Sequence, residues 1–388
     1  MRLILALAGS LLAWTYAVFP ALLLARSRVR RRPYAVADIE PSVSVLIAAH
    51  DEERSIGARL ANLRSLDYPA DKLEIVLASD GSSDRTVAFA RAADPSARVL
   101  DLQRVGKAAA LGAAVSHSRG EILVFTDANS SYDRDAIRQL VRPFADPSVG
   151  GVAGNQVYLP AGSAEGSAAG ERGYWSFDRI MKTAESEAGS VVSATGAIYA
   201  IRRELFRPIP DAVTDDFHQT LAVVGAGRRF VFAPAAIAWE PVAASSGAEF
   251  ERKVRVMVRG LRCVAIWREL LDPRRSGFFA LELATRKVLM RTMALPLAAL
   301  FAASLGLAGR SRVARAFALT QATGYGLGIA GLALERRAER APRLLALPGY
   351  FCLVQAASLT ATWRLLRGDR VDRWQPARGA GPSVERFE

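Results

Sequence analysis

Phe125-Thr126-Asp127-Ala128-Asn129-Ser130 follows an apolar run, Glu121-Ile122-Leu123-Val124, that reads as a buried strand. A carboxylate and an amide then arrive two residues apart, where the strand should end. Two readings compete. Asp, Asn and Ser make ordinary turns because their side chains bond to nearby backbone. At the carboxyl end of a strand in an open α/β sheet, however, ligands bind. One or two protein oxygens together with phosphates suit a hard divalent cation there. These six residues alone favour the turn; the flanking sequence decides otherwise.

On the N-terminal side, Val43-Ser44-Val45-Leu46-Ile47-Ala48 is another strand-like run, and Ala49-His50-Asp51-Glu52-Glu53 is the loop after it. Ile56, Leu60, Leu63 and Leu66 then fall on one helical face, which Tyr68-Pro69 ends. Glu74 to Ala78 is a strand and Ser79 to Asp84 its loop; Thr86 to Ala93 is a short helix; Arg98 to Leu102 is a third strand; Lys107 to Ser118 is an Ala-rich helix. Strands alternating with helices define an α/β class, a Rossmann-like and mostly parallel sheet covered on both faces. The loops after successive strands carry Asp51 and Glu52, Asp80, Arg104 and Lys107, and Asp127 and Asn129. Four polar sites therefore converge on one sheet edge, which a single chance turn does not explain. Lys107 is one of five lysines.

On the C-terminal side, Gly150 to Leu159 holds a strand, Ala161 to Gly170 reads as an Ala/Gly/Ser-rich loop, and Tyr174 to Glu187 as a helix. Ala194-Thr195-Gly196-Ala197-Ile198-Tyr199-Ala200 and Thr214-Asp215-Asp216-Phe217 follow, then a strand at Phe230 to Ala233. Asp215 and Asp216 suit a helix N-terminus, with Thr214 as the cap and the acids favoured by the dipole. Phe250 to Trp267 is a basic helix with Val254, Met257, Val258, Leu261 and Val264 on its apolar side, suited to a membrane surface.

Half the chain is hydrophobic, at 51%, and mean hydropathy is +0.13. Leu3 to Ala25 runs for about 23 residues without a charge, long enough to span a bilayer. It ends in Arg26-Ser27-Arg28-Val29-Arg30-Arg31-Arg32, which favours a retained anchor over a cleaved signal peptide and places the following domain in the cytoplasm. Thr292 to Gly309, Ala316 to Leu334 and Leu344 to Trp363 are each roughly long enough to span. Three spans would put the tail, with Arg364, Arg367, Arg370, Arg373 and Arg378, outside, against its charge; one run is then re-entrant or interfacial. The net charge of +13 belongs to arginines that hug apolar spans, not to an aromatic-interleaved groove, so nucleic acid is not the partner expected. Three histidines, His50, His117 and His218, exclude a His-rich zinc site, and Cys263 and Cys352 have no metal-ligand spacing.

Taken together, the 43–53 stretch resembles the opening strand and loop of family-2 glycosyltransferases of the GT-A fold. Ser79-Asp80-Gly81-Ser82-Ser83-Asp84-Arg85-Thr86 resembles their second nucleotide-contacting motif, and Gly106-Lys107-Ala108-Ala109-Ala110-Leu111 their basic loop and following helix. Asp127-Ala128-Asn129 occupies the place of their DxD motif, and Thr214-Asp215-Asp216 that of Thr-Glu-Asp. The likeness covers about 41 to 267, and the flanking apolar segments resemble the polysaccharide-synthase branch.

The resemblance implies an inverting, membrane-bound transferase of a nucleotide-diphosphate sugar, a UDP-sugar first among donors. The acceptor is a lipid-linked or polysaccharide hydroxyl at the cytoplasmic face, and membrane lipid is a partner. It implies that Asp80 contacts the base with His50 and Glu52 nearby. Asp127, with Asn129, holds Mg2+ or Mn2+ on the diphosphate, and Lys107 offsets charge on the leaving nucleotide. Asp216, beside Asp215, is the general base, and Arg252 and Arg255 stand on the donor side. Two departures stand out. Asn129 replaces the second acid of DxD. Where processive members carry Gln-x-x-Arg-Trp, this chain has Arg252-Lys253-Val254-Arg255-Val256, which keeps the second Arg and lacks Gln and Trp. Single transfer is thus preferred over a processive synthase of extracellular polysaccharide. A nucleotide-binding membrane scaffold with a decayed site is the reading from another class. The expected division is an anchor and basic flank at 1–32, the GT-A domain at 41–245, interfacial basic helices at 246–290, membrane helices at 291–366 and a basic cytoplasmic tail at 367–388.

Overall fold

The computed structural model describes residues 1–158, 165–241, 246–336 and 342–369. Among these, one compact unit comprises 27–158 and 182–241, and a second comprises 1–26, 165–181, 246–336 and 342–369.

The chain starts with α1 (Arg2–Ala13) and α2 (Phe19–Val29), joined by one wider π turn at Trp14–Val18 into a single helix. The sheet unit follows: β1 (Val43–Ala49), α3 (Ile56–Arg64), β2 (Leu73–Asp80), α4 (Thr86–Ala93), β3 (Arg98–Leu102), α5 (Lys107–Ser116), β4 (Ile122–Asp127), β5 (Ser131–Tyr132), α6 (Ala136–Val141) and β6 (Val149–Tyr158). Then come α7 (Glu165–Ala188), β7 (Tyr199–Arg202), α8 (Asp215–Gly225) and β8 (Arg229–Glu240). The eight strands form one sheet in the order β3-β2-β1-β4-β7-β6-β8-β5. The pairs among β3, β2, β1 and β4 are parallel; β7 then runs antiparallel to both β4 and β6.

Every residue of β1 is buried, because β1 is central and covered on both faces. Successive side chains alternate between the faces. Val43, Val45 and Ile47 pack with Ile56, Leu60 and Leu63 of α3, whereas Leu46 and Ala48 pack with Ala110, Leu111 and Ala114 of α5. Parallel register brings the strand ends level: Ala49 lies opposite Ser79, and Ala48 opposite Asp127. The loops carrying His50, Gly81 and Ala128 therefore open on one edge. The basic flank docks on this same unit, where Arg31 pairs with Glu187 at 3.0 Å and Arg229 donates to the Arg32 carbonyl at 2.9 Å.

The second unit is helical: α9 (Ser246–Ile266), α10 (Pro273–Ser276), α11 (Phe278–Leu283), α12 (Ala294–Leu307), α13 (Arg312–Arg336) and α14 (Arg343–Leu366). The apolar side of α9 is covered by α14, with Val254 and Val258 against Ala357 and Ala361, so this face is not left for a membrane surface. Among the described residues, three single helices are long and apolar enough to cross a membrane: Arg2–Val29, Arg312–Glu335 and Leu344–Leu366. The run at 292–309 belongs to a bent pair, Phe278–Leu289 with Ala294–Leu307, that is together apolar enough to be a broken span or a re-entrant loop. Only Ala294–Leu307 is α-helical there, and it bends by 67° from Phe278–Leu289. Pro296 has no N–H to give the Thr292 carbonyl, so the helix restarts instead of continuing. The stretch expected as a loop at 161–170 is also corrected. Residues 165–170 open α7, since alanine is the strongest helix former and outweighs the intervening glycines; 161–164 lie outside the described residues.

Candidate active site

The first two loops are laced together by backbone-to-side-chain bonds. The Asp51 N–H donates to Ser82 Oγ at 3.2 Å, the Glu52 N–H to Thr86 Oγ1 at 2.7 Å, and the Glu53 N–H to Asp84 Oδ2 at 3.0 Å. His50 Nδ1 donates to the Asp80 carbonyl at 2.9 Å, and its Nε2 lies 3.4 Å from Asp51 Oδ2. Glu52 turns inward and accepts from Ser55 Oγ at 2.5 Å. Burial pushes its carboxyl pKa up against that hydrogen bond, and the charges of Asp127, Asp84 and Asp51 push the same way.

Asp80 is fully buried at the end of β2. Its Oδ1 accepts the Val105 and Gly106 N–H groups at 2.7 and 2.8 Å, and its Oδ2 has no hydrogen-bond partner. Gly81, at φ 61°, makes this packing feasible: a Cβ there would lie 2.7 Å from the Arg104 nitrogen.

Lys107 is the first residue of α5, and its Nζ sits 2.7 Å from Asp127 Oδ1 and 3.2 Å from Asp215 Oδ1. Burial alone would lower the ammonium pKa; the Asp127 and Asp215 charges reverse this and hold Lys107 protonated. Asp215 Oδ2 accepts the Tyr199 hydroxyl at 3.2 Å, and the Tyr199 ring stacks on Phe125 at 4.7 Å. Thr214 stands at the N-cap of α8 but makes no side-chain cap bond, so its expected capping role is not realised. Instead Asp216 Oδ1 accepts the Phe217 N–H at 2.7 Å. Asp127, Lys107 and Asp215 are thus brought together, with Asp216 next along the helix.

Asn129 is half-buried and makes no hydrogen bond among the described residues. Opposite Asp127 stands Gly196, where a Cβ would come 2.9 Å from Oδ2, so the missing side chain leaves space beside the carboxylate. Among the described residues no three His, Cys, Asp or Glu converge as a ready metal cage. The donor set of one carboxylate and one free amide still fits a hard cation that completes its shell with phosphate and water oxygens. Arg252 and Arg255 lie on α9 in the helical unit, and both guanidinium arms of Arg252 engage Glu249 at 2.6 and 2.7 Å.

The sequence reading missed a brace behind this edge. Arg59 and Asn62 of α3 bond to Thr126 and Tyr132, which flank the Asp127 turn on either side. The signal was an arginine three residues after Ile56, on the apolar face of its helix.

A parallel half-sheet whose strand ends carry the buried Asp80 and, two strands away, Asp127, continued by an antiparallel half, is the GT-A glycosyltransferase fold. Residues 44–209 match the family model for glycosyl transferase family 2. It is 27% identical over 241 residues to an N-acetylglucosaminyltransferase of Sinorhizobium fredii, covering 58% of each chain. It is 26% identical over 238 residues to a poly-beta-1,6-N-acetyl-D-glucosamine synthase of Staphylococcus aureus, covering 59% of this chain and 57% of that one. The chain spans about half the length of the curated relatives it matches. Among solved structures, a mannosyltransferase from Pyrobaculum calidifontis in complex with GDP-Man and Mn2+ superposes with a TM-score of 0.71 at 26% identity, over 94% of this chain and 99% of that one.

Proposed function

We propose that the protein is a membrane-bound, inverting glycosyltransferase. It moves a sugar from a nucleotide-diphosphate donor to a hydroxyl of a lipid-linked or polysaccharide acceptor at the cytoplasmic face. The observation that carries the reading is the bridge of Lys107 between Asp127 and Asp215, which joins the phosphate turn to the acid pair. In this reading the buried Oδ2 of Asp80, which has no hydrogen-bond partner and lies 3.7 Å from Arg104 Nε, accepts an N–H of the base, with the His50–Glu52 loop beside it. Asp127 and Asn129 would hold Mg2+ or Mn2+, which when bound neutralises diphosphate charge. Lys107 stabilises the leaving nucleotide, and Asp216 takes the acceptor proton as the hydroxyl attacks the anomeric carbon from the far side.

The relative from Pyrobaculum calidifontis, solved with GDP-Man, and the N-acetylglucosaminyltransferases support a sugar-nucleotide donor; a UDP-sugar and GDP-Man are the two to test first. The relative named a poly-beta-1,6-N-acetyl-D-glucosamine synthase supports a second reading, processive synthesis. A polymer ladder instead of a single added sugar would establish it. The screen uses purified protein in detergent, nucleotide-sugar donors with and without Mn2+, and released nucleotide as readout. With the donor that turns over, EDTA and Asp127→Ala each lower donor affinity; unchanged donor binding in EDTA rejects the metal role of Asp127.

The bend before α12 supports an orientation that satisfies the charges. A 14-residue helix rises about 21 Å, short of the roughly 30 Å core. With α12 re-entrant, α13 and α14 provide two crossings, and the arginines at 26–32 and those at 364–378 share the cytoplasmic side. In a chain freed of its native cysteines, thiol reagents should label Ser311→Cys and Ser383→Cys only from the cytoplasmic face. Labelling of either from outside rejects the re-entrant assignment.

A further inference from the structure

Arg59 is 2% exposed, yet it forms no ion pair among the described residues. Burying a guanidinium without a carboxylate partner is costly, and an apolar residue of similar volume is often at least as stable in such a place. Its contacts show what it does there. Nη2 donates to Thr126 Oγ1 at 2.8 Å, Nη1 donates to Asn62 Oδ1 at 2.8 Å, and the guanidinium lies over the Tyr132 ring at 4.1 Å. Asn62 holds Tyr132 at both backbone groups: Oδ1 accepts its N–H at 2.8 Å, and Nδ2 donates to its carbonyl at 2.9 Å. Thr126 and Tyr132 in turn both donate their hydroxyls to the Ala197 carbonyl, at 2.9 and 3.2 Å. Ala197 follows Gly196, the residue that leaves space beside Asp127. One helix, α3, therefore braces both ends of the Asp127–Asn129 turn and the segment facing it.

We infer that Arg59 is a positioning residue for the donor diphosphate: it braces the Asp127–Asn129 turn and places a buried positive charge behind it. The inference rests on the donor-site reading above. A fixed cation at that place opposes a free divalent ion and favours an anionic diphosphate, so it acts in opposite senses on the two. That split separates positioning from plain scaffolding, which would weaken both together.

The test uses the full-length protein in detergent, with UDP and GDP as probes by calorimetry and Mn2+ alone by electron paramagnetic resonance. Arg59→Met should keep or raise the melting temperature. Its nucleoside diphosphate affinity should fall roughly 10- to 100-fold, the range for residues that orient a metal site from behind. Its affinity for Mn2+ alone should be unchanged or higher. Arg59→Lys, which keeps the charge and loses the fork, should recover part of the diphosphate affinity. Asn62→Ala leaves the charge and loosens Tyr132, so it should weaken diphosphate binding to a smaller degree. Unchanged diphosphate affinity in Arg59→Met, or in Asn62→Ala should Arg59→Met not fold, overturns the inference. So does a joint fall of melting temperature, Mn2+ affinity and diphosphate affinity. If wild-type protein binds neither UDP nor GDP with Mn2+, the donor-site reading itself fails; binding by wild type and Arg59→Met alike rejects only the role of Arg59.

Discussion

Asp216→Asn should leave a folded protein that binds donor normally and transfers sugar roughly 10³-fold more slowly, within the usual range for loss of a general base. The choice of Asp216 over its neighbour follows from its place as the last acid of Thr214-Asp215-Asp216. Both oxygens of Asp215 are engaged, Oδ1 by Lys107 at 3.2 Å and Oδ2 by the Tyr199 hydroxyl at 3.2 Å. An acid held in that way orients other groups. Asn at 216 keeps an oxygen for the Phe217 N–H, so that contact at the start of α8 is preserved while the carboxylate's proton-accepting capacity is lost. The signature is a fall in kcat with donor KM and melting temperature nearly unchanged. Asp215→Asn should do the reverse, raising donor KM through a loosened Lys107. Near-normal turnover in Asp216→Asn rejects the assignment, and loss of turnover with intact donor affinity in Asp215→Asn moves the base to Asp215.

The half of the site built from parallel strands was legible because those strands are covered on both faces. Val43–Ala49 and Ile122–Asp127 appear as apolar runs, and the first polar residues after them mark the ligand-binding edge. The antiparallel half was less visible. Tyr199–Arg202 and Ser131–Tyr132 are too short to show a period of two, so the sequence marked Gly196 without its approach to Asp127. The twelve-residue strand Arg229–Glu240 looked like four residues because Pro234 interrupts it; the ladder accommodates the break with a register shift between Ala153 and Asn155. Arg59 escaped for another reason. A charged residue on a helix is normally assigned to solvent, and its contacts with Thr126 and Tyr132 appear only in the folded structure.

Lys107→Met should have the largest combined effect, since it removes the one group seen bonded to both Asp127 and Asp215. Breaking a buried ion pair from one side costs about 3 kcal/mol or more, because the remaining charges stay behind without compensation. Here two carboxylates are left facing the same gap. The wild-type bridge gives stability that is fully present below the ordinary lysine range, near pH 10.4, and is lost only as pH rises through the raised folded-state value. Between pH 6 and 9 the wild-type contribution is therefore constant. Added Mn2+ should raise the melting temperature of Lys107→Met more than that of wild type, because an external cation then fills the place the ammonium vacated. Transfer should fall roughly 10²- to 10³-fold even with saturating Mn2+, since Lys107 also meets the charge that develops on the leaving nucleotide. Two results would contradict this account of the bridge: equal stability of the two proteins at pH 7, or equal stabilisation of both by Mn2+.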